Sequence, residues 1–255
     1  MPIFVGGNNI TGGFTTEEKN YFNTSINSIN EQLDNNKNDI EQLKKNSGSA
    51  VNVSKWKNKK WCVVGDSITE VNSTASIKYH DIIKSNIGCT VYNQGISGSG
   101  YVISGGLAIV NRIEDIPSDS DLITIFAGTN DWGRNLTTLG TFSDTTKNTF
   151  YGALKLSLEG IINKFPTKKI GVITPIPRNT YRNPNTAGET LEQYRNAILE
   201  VCEYFSIPCL DLYKESGFYV GNSTFNETYL PDGLHPNNAG HELLAEKIEK
   251  WIETL

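Results

Sequence analysis

The stretch Trp61-Cys62-Val63-Val64-Gly65-Asp66-Ser67-Ile68-Thr69 is a short apolar run that ends in a glycine turn carrying a serine. Trp61 to Val64 reads as a buried strand, and Gly65-Asp66 as the point where it stops. A serine placed there stands clear of the sheet with its hydroxyl toward solvent. One such turn says little alone. Its weight comes from Pro231-Asp232-Gly233-Leu234-His235-Pro236, almost at the other end of the chain. That segment supplies an acid and an imidazole three residues apart. A hydroxyl, a base to take its proton and a carboxylate to orient the base are the groups that a serine nucleophile requires.

Working outward, strand candidates are Trp61–Val64, Thr90–Tyr92, Leu122–Phe126, Ile170–Thr174 and Ile207–Leu210. Each is short, apolar and followed by Gly, Pro, Asn or Asp. Helical patterns lie between them. Leu191, Tyr194, Ile198, Val201 and Phe205 step by three and four along one face. Leu244, Ile248, Trp251 and Ile252 do the same after Pro236. Alternating helices and buried strands predict a parallel sheet covered on both faces. In such sheets, sites form in the loops beyond the C-terminal strand ends. Ser67, Gly95 and Asn130 each fall just past a strand, so they are expected to meet at one sheet edge. Ser67 is expected at or near the start of a helix, where N–H groups favour developing negative charge.

The chain before residue 58 has a different character. Residues 1–14 are rich in Gly and Asn and read as a flexible or docking arm. Thr15 and Glu18 have capping-box spacing, which starts a helix. A sparse stripe follows: Phe22, Ile26, Ile29, Leu33, Asn36, Ile40 and Leu43. Ile26, Leu33 and Ile40 fall at position a of a heptad, and Phe22, Ile29, Asn36 and Leu43 at position d. A stripe this narrow needs a partner, so residues 15–46 read as a coiled-coil oligomerisation helix. Asp39 at g and Lys44 at the following e pair in a parallel arrangement, and Asn36 fixes the register. The reading leans to a homotrimer through residues 22–43 over a dimer. Residues 47–57 read as a linker, and 58–255 as the catalytic domain.

Bulk composition narrows the function classes. The 255 residues carry 37% hydrophobic and 20% charged side chains, which suits a soluble globular protein. Net charge is -5, and no basic stripe is present, which argues against nucleic acid as a partner. No run of about 18 apolar residues suggests a membrane span. The N-terminus has no signal-peptide pattern, which points to cytoplasmic synthesis or to a signal already removed. Cys62, Cys89, Cys202 and Cys209 have no metal-ligand spacing, and Cys62 and Cys209 read as small buried hydrophobes.

The chemistry assembles from four blocks. The N–H of Ser67, the N–H of Gly95 and the amide of Asn130 offer three donors for an oxyanion. His235 would take the proton of Ser67, with Asp232 holding its tautomer. Gly65-Asp66-Ser67-Ile68-Thr69, Asn93-Gln94-Gly95, Gly128-Thr129-Asn130-Asp131 and Asp232-Gly233-Leu234-His235-Pro236 occur in the order that resembles the SGNH (GDSL-type) hydrolase family, over residues 58 to 253. The resemblance implies Ser67 as nucleophile, Gly95 and Asn130 as oxyanion donors, and Asp232 and His235 as the rest of a triad. It also implies a three-layer α/β/α sandwich with a five-stranded parallel sheet, flavodoxin-like, and no metal or cofactor. Asp131 is expected to stabilise the loop. His80 and His241 are expected to pack or face solvent. Trp132, Arg134, Tyr101 and Arg178 are candidates for substrate contact.

The family acts mostly on esters, often acetyl groups on carbohydrate. The resemblance therefore implies a serine esterase removing O-acetyl groups from a cell-surface glycan. A carbohydrate- or receptor-binding module on the same fold, or a lipase or thioesterase, are the other readings. With its helical seam, the chain is similar to tail-associated esterases of bacteriophages. That similarity implies virion docking through the arm, and a virion-associated or extracellular location. A bacterial cytoplasmic or secreted enzyme is the alternative.

Overall fold

Alternation along the first strand sets the layers. β1 spans Lys60–Gly65. Trp61 and Val63 enter one apolar core, and Cys62 and Val64 the other, because successive side chains leave opposite faces of a strand. The structure, a computed structural model, describes residues 15–46, 53–70, 74–102 and 105–255. The strands that join β1 are β2 (Thr90–Gly95), β3 (Leu122–Phe126), β4 (Lys169–Ile173) and β5 (Cys209–Leu210). All pairings are parallel, and the order is β2-β1-β3-β4-β5. The strands form where the sequence places them. β5 is shorter than expected because Pro208 has no N–H to give; its carbonyl still accepts from Val172, at 3.0 Å.

Helices α1 (Thr16–Asn46), α2 (Tyr79–Ile87), α3 (Thr129–Gly133), α4 (Phe150–Lys164), α5 (Leu191–Tyr204), α6 (Leu212–Glu215), α7 (Ser223–Tyr229) and α8 (Asn238–Ile252) complete the described residues, with three short 3-10 turns before β3. One core packs α4 and α5 through Leu154, Leu158, Ile161, Ala197, Ile198 and Val201. The other packs α2 and α8 through Tyr79, Ile83, Leu244, Ile248 and Ile252. The fold is thus α/β, with a five-stranded parallel sheet between two helical layers. Among the described residues no helix is long and apolar enough to cross a membrane.

The chain divides into two units, Met1–Asn52 and Val53–Leu255. In the first, α1 opens with the expected capping box. Thr15 N–H donates to Glu18 Oε2 at 2.8 Å, and Glu18 N–H to Thr15 Oγ1 at 3.2 Å. Along its stripe Phe22, Ile26, Leu33 and Ile40 are half exposed, and Ile29 is 62% exposed. The expected arm, residues 1–14, lies outside the described residues, as does most of the linker. The second unit includes residues 53–57. Trp56 is buried there, and its Nε1–H donates to the Ile252 carbonyl at 2.8 Å.

Two buried histidines fasten α2. His241, on α8, accepts the Tyr79 N–H at Nδ1, 3.2 Å away. That N–H opens the first turn of α2 and has no helical acceptor. Burial, helped by the charges of Lys78, His80 and His235, pushes the His241 pKa down to about 3. The ring therefore stays neutral and keeps the acceptor lone pair. His80 Nε2 lies 2.9 Å from the Thr69 carbonyl. Both rings are packing elements, and neither reaches solvent.

Candidate active site

Ser67 sits in an isolated turn. The N–H groups of Thr69 and Glu70 donate to the Asp66 carbonyl at 3.1 and 2.9 Å, and Ile68 N–H donates to Asp66 Oδ1 at 2.9 Å. The expected helix start is not at Ser67; residues 66–70 form a turn, and the next helix among the described residues, α2, begins at Tyr79. The site therefore has the N–H groups of one tight turn in place of a helix dipole. Two side chains hold the end of that turn. Asn93 Nδ2 donates to the Thr69 carbonyl at 3.1 Å, and the Tyr79 hydroxyl meets Thr69 Oγ1 at 3.0 Å.

The structure brings Ser67, His235 and Asp232 into one relay. Ser67 Oγ lies 2.8 Å from His235 Nε2, and His235 Nδ1 lies 2.6 Å from Asp232 Oδ2. The other carboxylate oxygen, Oδ1, accepts N–H groups from Leu234 at 2.9 Å and His235 at 2.6 Å. Burial opposes ionisation of Asp232, but these N–H groups and the imidazole outweigh it and hold the carboxyl below its ordinary value. Asp232 is thus an ionised acceptor, and it selects the tautomer with hydrogen on Nδ1. Nε2 is left as the base facing Ser67. Gly233, at φ 74°, makes this three-residue loop possible, and its carbonyl accepts Asn179 N–H at 2.7 Å.

The oxyanion candidates divide. Asn130 is buried at the start of α3 and donates one Nδ2 hydrogen to the Ser99 carbonyl at 3.0 Å. That bond fixes the amide, whose nitrogen carries a second hydrogen. Gly95 behaves differently from expectation. It is the last residue of β2, and its N–H donates to Asn93 Oδ1 at 2.8 Å. That N–H is already engaged within its own strand. A Cβ at Gly95 would overlap Glu70 N, so the glycine lets β2 pass close beneath the serine turn.

The four residues expected to touch substrate also separate. Tyr101 is fully buried with its ring edge-on to Phe150, 5.6 Å between centroids, so it belongs to the core. The chain turns inward there because Asp131 accepts the N–H groups of Tyr101 and Val102, each at 3.0 Å. Trp132 is buried too. Its Nε1–H donates to the Glu189 carbonyl at 3.0 Å, and the Arg178 guanidinium lies 5.5 Å over its ring. Arg178 is half-buried and donates to Thr129 Oγ1 at 3.2 Å; Asp66 and Asp232 are close enough to favour its charge against the cost of burial. Arg134 is exposed and lies against Gly98. Of the four, only the two arginines are exposed or half-buried; the two aromatic residues are buried.

Arg112 was not visible as a site residue. It is buried, donating from Nη1 to the Gln94 carbonyl at 2.6 Å and from Nη2 to the Gly65 carbonyl at 3.0 Å. It joins the ends of β1 and β2 directly under the serine turn. No motif marks it, because it comes from an irregular segment between β2 and β3.

The GDSL-like lipase/acylhydrolase family model matches residues 63–243. The chain belongs to the GDSL-like lipase/acylhydrolase family. It is a serine hydrolase with esterase or acylhydrolase chemistry. No curated protein matches it. A crystal structure of a Lactobacillus plantarum protein is similar at 34% identity and a TM-score of 0.73, covering 78% of this chain and 98% of that one. A possible lipase from Chitinophaga pinensis shares the fold at 23% identity and a TM-score of 0.63, covering 76% and 98%. So does a variant of an acetyl xylan esterase from Geobacillus stearothermophilus, at 20% identity and a TM-score of 0.54, covering 76% and 94%.

Asp66 gives this serine hydrolase a testable pH signature. Burial, reinforced by Asp131, pushes its pKa from 3.8 up to about 7, while the Ile68 N–H and Arg178 and Arg112 pull the other way. Between those two values the folded state keeps a proton that the unfolded chain has released. Stability from this group therefore falls as pH rises through that window. Asp66→Asn keeps the acceptor for Ile68 and cannot ionise. The melting temperature of the variant relative to the parent is expected to climb from pH 4 to pH 7. A difference that stays flat over that range would contradict the assignment.

Proposed function

We propose that this hydrolase is an esterase with Ser67 as nucleophile, and that it removes O-acetyl groups from carbohydrate. The observation that carries the reading is the continuous relay from Ser67 Oγ to His235 to Asp232, at 2.8 and 2.6 Å. In the first step Oγ attacks the ester carbonyl as its proton moves to His235 Nε2. Asp232 stabilises the imidazolium that forms. The Asn130 amide and the Ser67 N–H stabilise the oxyanion. His235 then protonates the departing sugar hydroxyl. Water attacks the acyl-enzyme with His235 as base, and acetate leaves. Asn130, Arg134 and Arg178 make a polar mouth, which suits a hydroxyl-rich alcohol better than a long acyl chain.

We further propose that α1 associates with copies of itself as a parallel trimer, and that the arm before it docks the enzyme on a virion tail. The half-exposed stripe along α1 supports the first part. An exposed heptad seam is stable only when a partner covers it.

Ser67→Ala is expected to abolish hydrolysis of p-nitrophenyl acetate; parent-like turnover in that variant would remove Ser67 from the mechanism. Asn130→Ala is expected to lower kcat by about two to three orders of magnitude, the usual effect of deleting one oxyanion donor. A loss of less than about threefold would leave Asn130 a purely structural part. For the seam, light scattering on the full chain is expected to give a trimer mass that collapses to monomer in the Leu33→Asp, Ile40→Asp variant. A monomer for both proteins would end the proposal.

A further inference from the structure

Beyond β4 and β5, at the same sheet edge as Ser67, lies an open cleft of about 440 Å³. It is not the serine site. Its walls come from the loop after β4, from α6 and from the segment between α6 and α7. Tyr181, Tyr213, Phe218 and Tyr219 give it apolar faces, and Arg182 and Lys214 give it charge. No Asp or Glu lines it, in a chain whose net charge is -5. Among the described residues neither Arg182 nor Lys214 meets a carboxylate in an ion pair. Tyr219 is 70% exposed, yet its ring is held edge-on against Phe225, 5.5 Å between centroids. Tyr181 and Tyr213 hold each other in the same way at 5.6 Å. The Arg182 guanidinium lies 5.2 Å over Tyr181, and its Nε–H donates to the Tyr181 hydroxyl at 2.8 Å. The rings are therefore pre-positioned, which limits the ordering cost of binding.

The loop after β4 couples this cleft to the serine site. Pro177 lines the cleft, while the next residue, Arg178, reaches Thr129 at the mouth. Asn179 N–H donates to Gly233 in the loop that carries Asp232 and His235, at 2.7 Å. Asn226 Nδ2 bridges Asn179 Oδ1 and the Val220 carbonyl at the far wall, at 3.2 and 3.1 Å. Neighbouring strands are about 4.8 Å apart, so the ends of β4 and β5 lie roughly 10 and 14 Å from that of β1. A short oligosaccharide spans that gap. Planar rings with polar edges suit the apolar faces of sugars, and guanidinium and ammonium groups suit carboxylates.

We propose that this cleft is a subsite for an acidic glycan, which binds carboxylate-bearing sugars next to the unit whose O-acetyl ester enters the Ser67 site. The inference rests on the esterase reading above and names its substrate class. Arg134, Arg178, Arg182 and Lys214 then mark one cationic track from the serine to the far end of the cleft.

Steady-state kinetics on three substrates test it: p-nitrophenyl acetate, an acetylated oligogalacturonide and a neutral acetylated xylo-oligosaccharide. The parent enzyme is expected to prefer the oligogalacturonide over the neutral chain. Lys214→Ala and Arg182→Ala are expected to raise KM for the oligogalacturonide by about tenfold each, the effect of losing one charge-assisted contact. Tyr219→Ala is expected to raise KM for both glycans. All three side chains are exposed, and p-nitrophenyl acetate turnover is expected to stay within about twofold, as for surface changes that leave the reacting groups in place. An enzyme that hydrolyses p-nitrophenyl acetate but releases no acetate from the oligogalacturonide would overturn the subsite and leave the esterase standing. So would KM values that the cleft variants leave unchanged, or a parental preference for the neutral chain. Failure on p-nitrophenyl acetate itself would instead strike the esterase reading.

Discussion

The hydrogen bond between Ser67 Oγ and His235 Nε2 joins residues 168 positions apart, and the rest of the domain is arranged to keep it at 2.8 Å. The path of constraint is short. The serine turn ends at Thr69, which is gripped by Tyr79, His80 and Asn93. Tyr79 begins α2 and is fastened by its N–H to His241 on α8. α8 starts just after Pro236, so His235 enters from the other side of the same closed circuit. Each of these links except Asn93 is buried in the α2–α8 layer, where a hydrogen bond is stronger and its loss more costly than at the surface. The chain thereby converts helix packing into proton-transfer geometry.

A second set of buried charges holds the loops around that circuit. Arg112 binds the Gly65 and Gln94 carbonyls, and Asp131 binds the Tyr101 and Val102 N–H groups. Gly65 and Gln94 are at the C-terminal ends of β1 and β2, and Tyr101 and Val102 lie in the loop beyond β2. Charged side chains thus satisfy backbone groups at the strand ends and in the loop beyond them, which keeps this buried backbone paired. Asp66 lies between the two sets, and its raised pKa reflects how little water reaches the floor of the site.

Much of this was legible in the sequence, for reasons that differ from residue to residue. The strands were readable because both faces of the sheet are covered, which demands continuous apolar runs such as Leu122–Phe126. Ser67 and Asn130 could be placed because parallel strands put their C-terminal loops on one edge, and His235 was read from its spacing to Asp232. Failures arose where side-chain direction mattered. Tyr101 and Trp132 look like mouth residues from their positions after glycine loops, but Asp131 and Glu189 draw them inward. Gly95 looks like a donor until Asn93, two residues earlier, takes its N–H. The aromatic cleft was illegible because residues 216–222 have no period, and their rings come to line one cleft with Tyr181 and Tyr213 only through the fold. Arg112 was missed for the same reason.

The most direct measurement is the site of covalent capture by a serine-directed fluorophosphonate, mapped by peptide mass spectrometry on the full-length protein. A hydroxyl activated by His235 is expected to yield one adduct, on the peptide holding Ser67, and to lose it when His235 is replaced by asparagine. An adduct on another serine, or labelling of Ser67 that is indifferent to His235, would contradict the account.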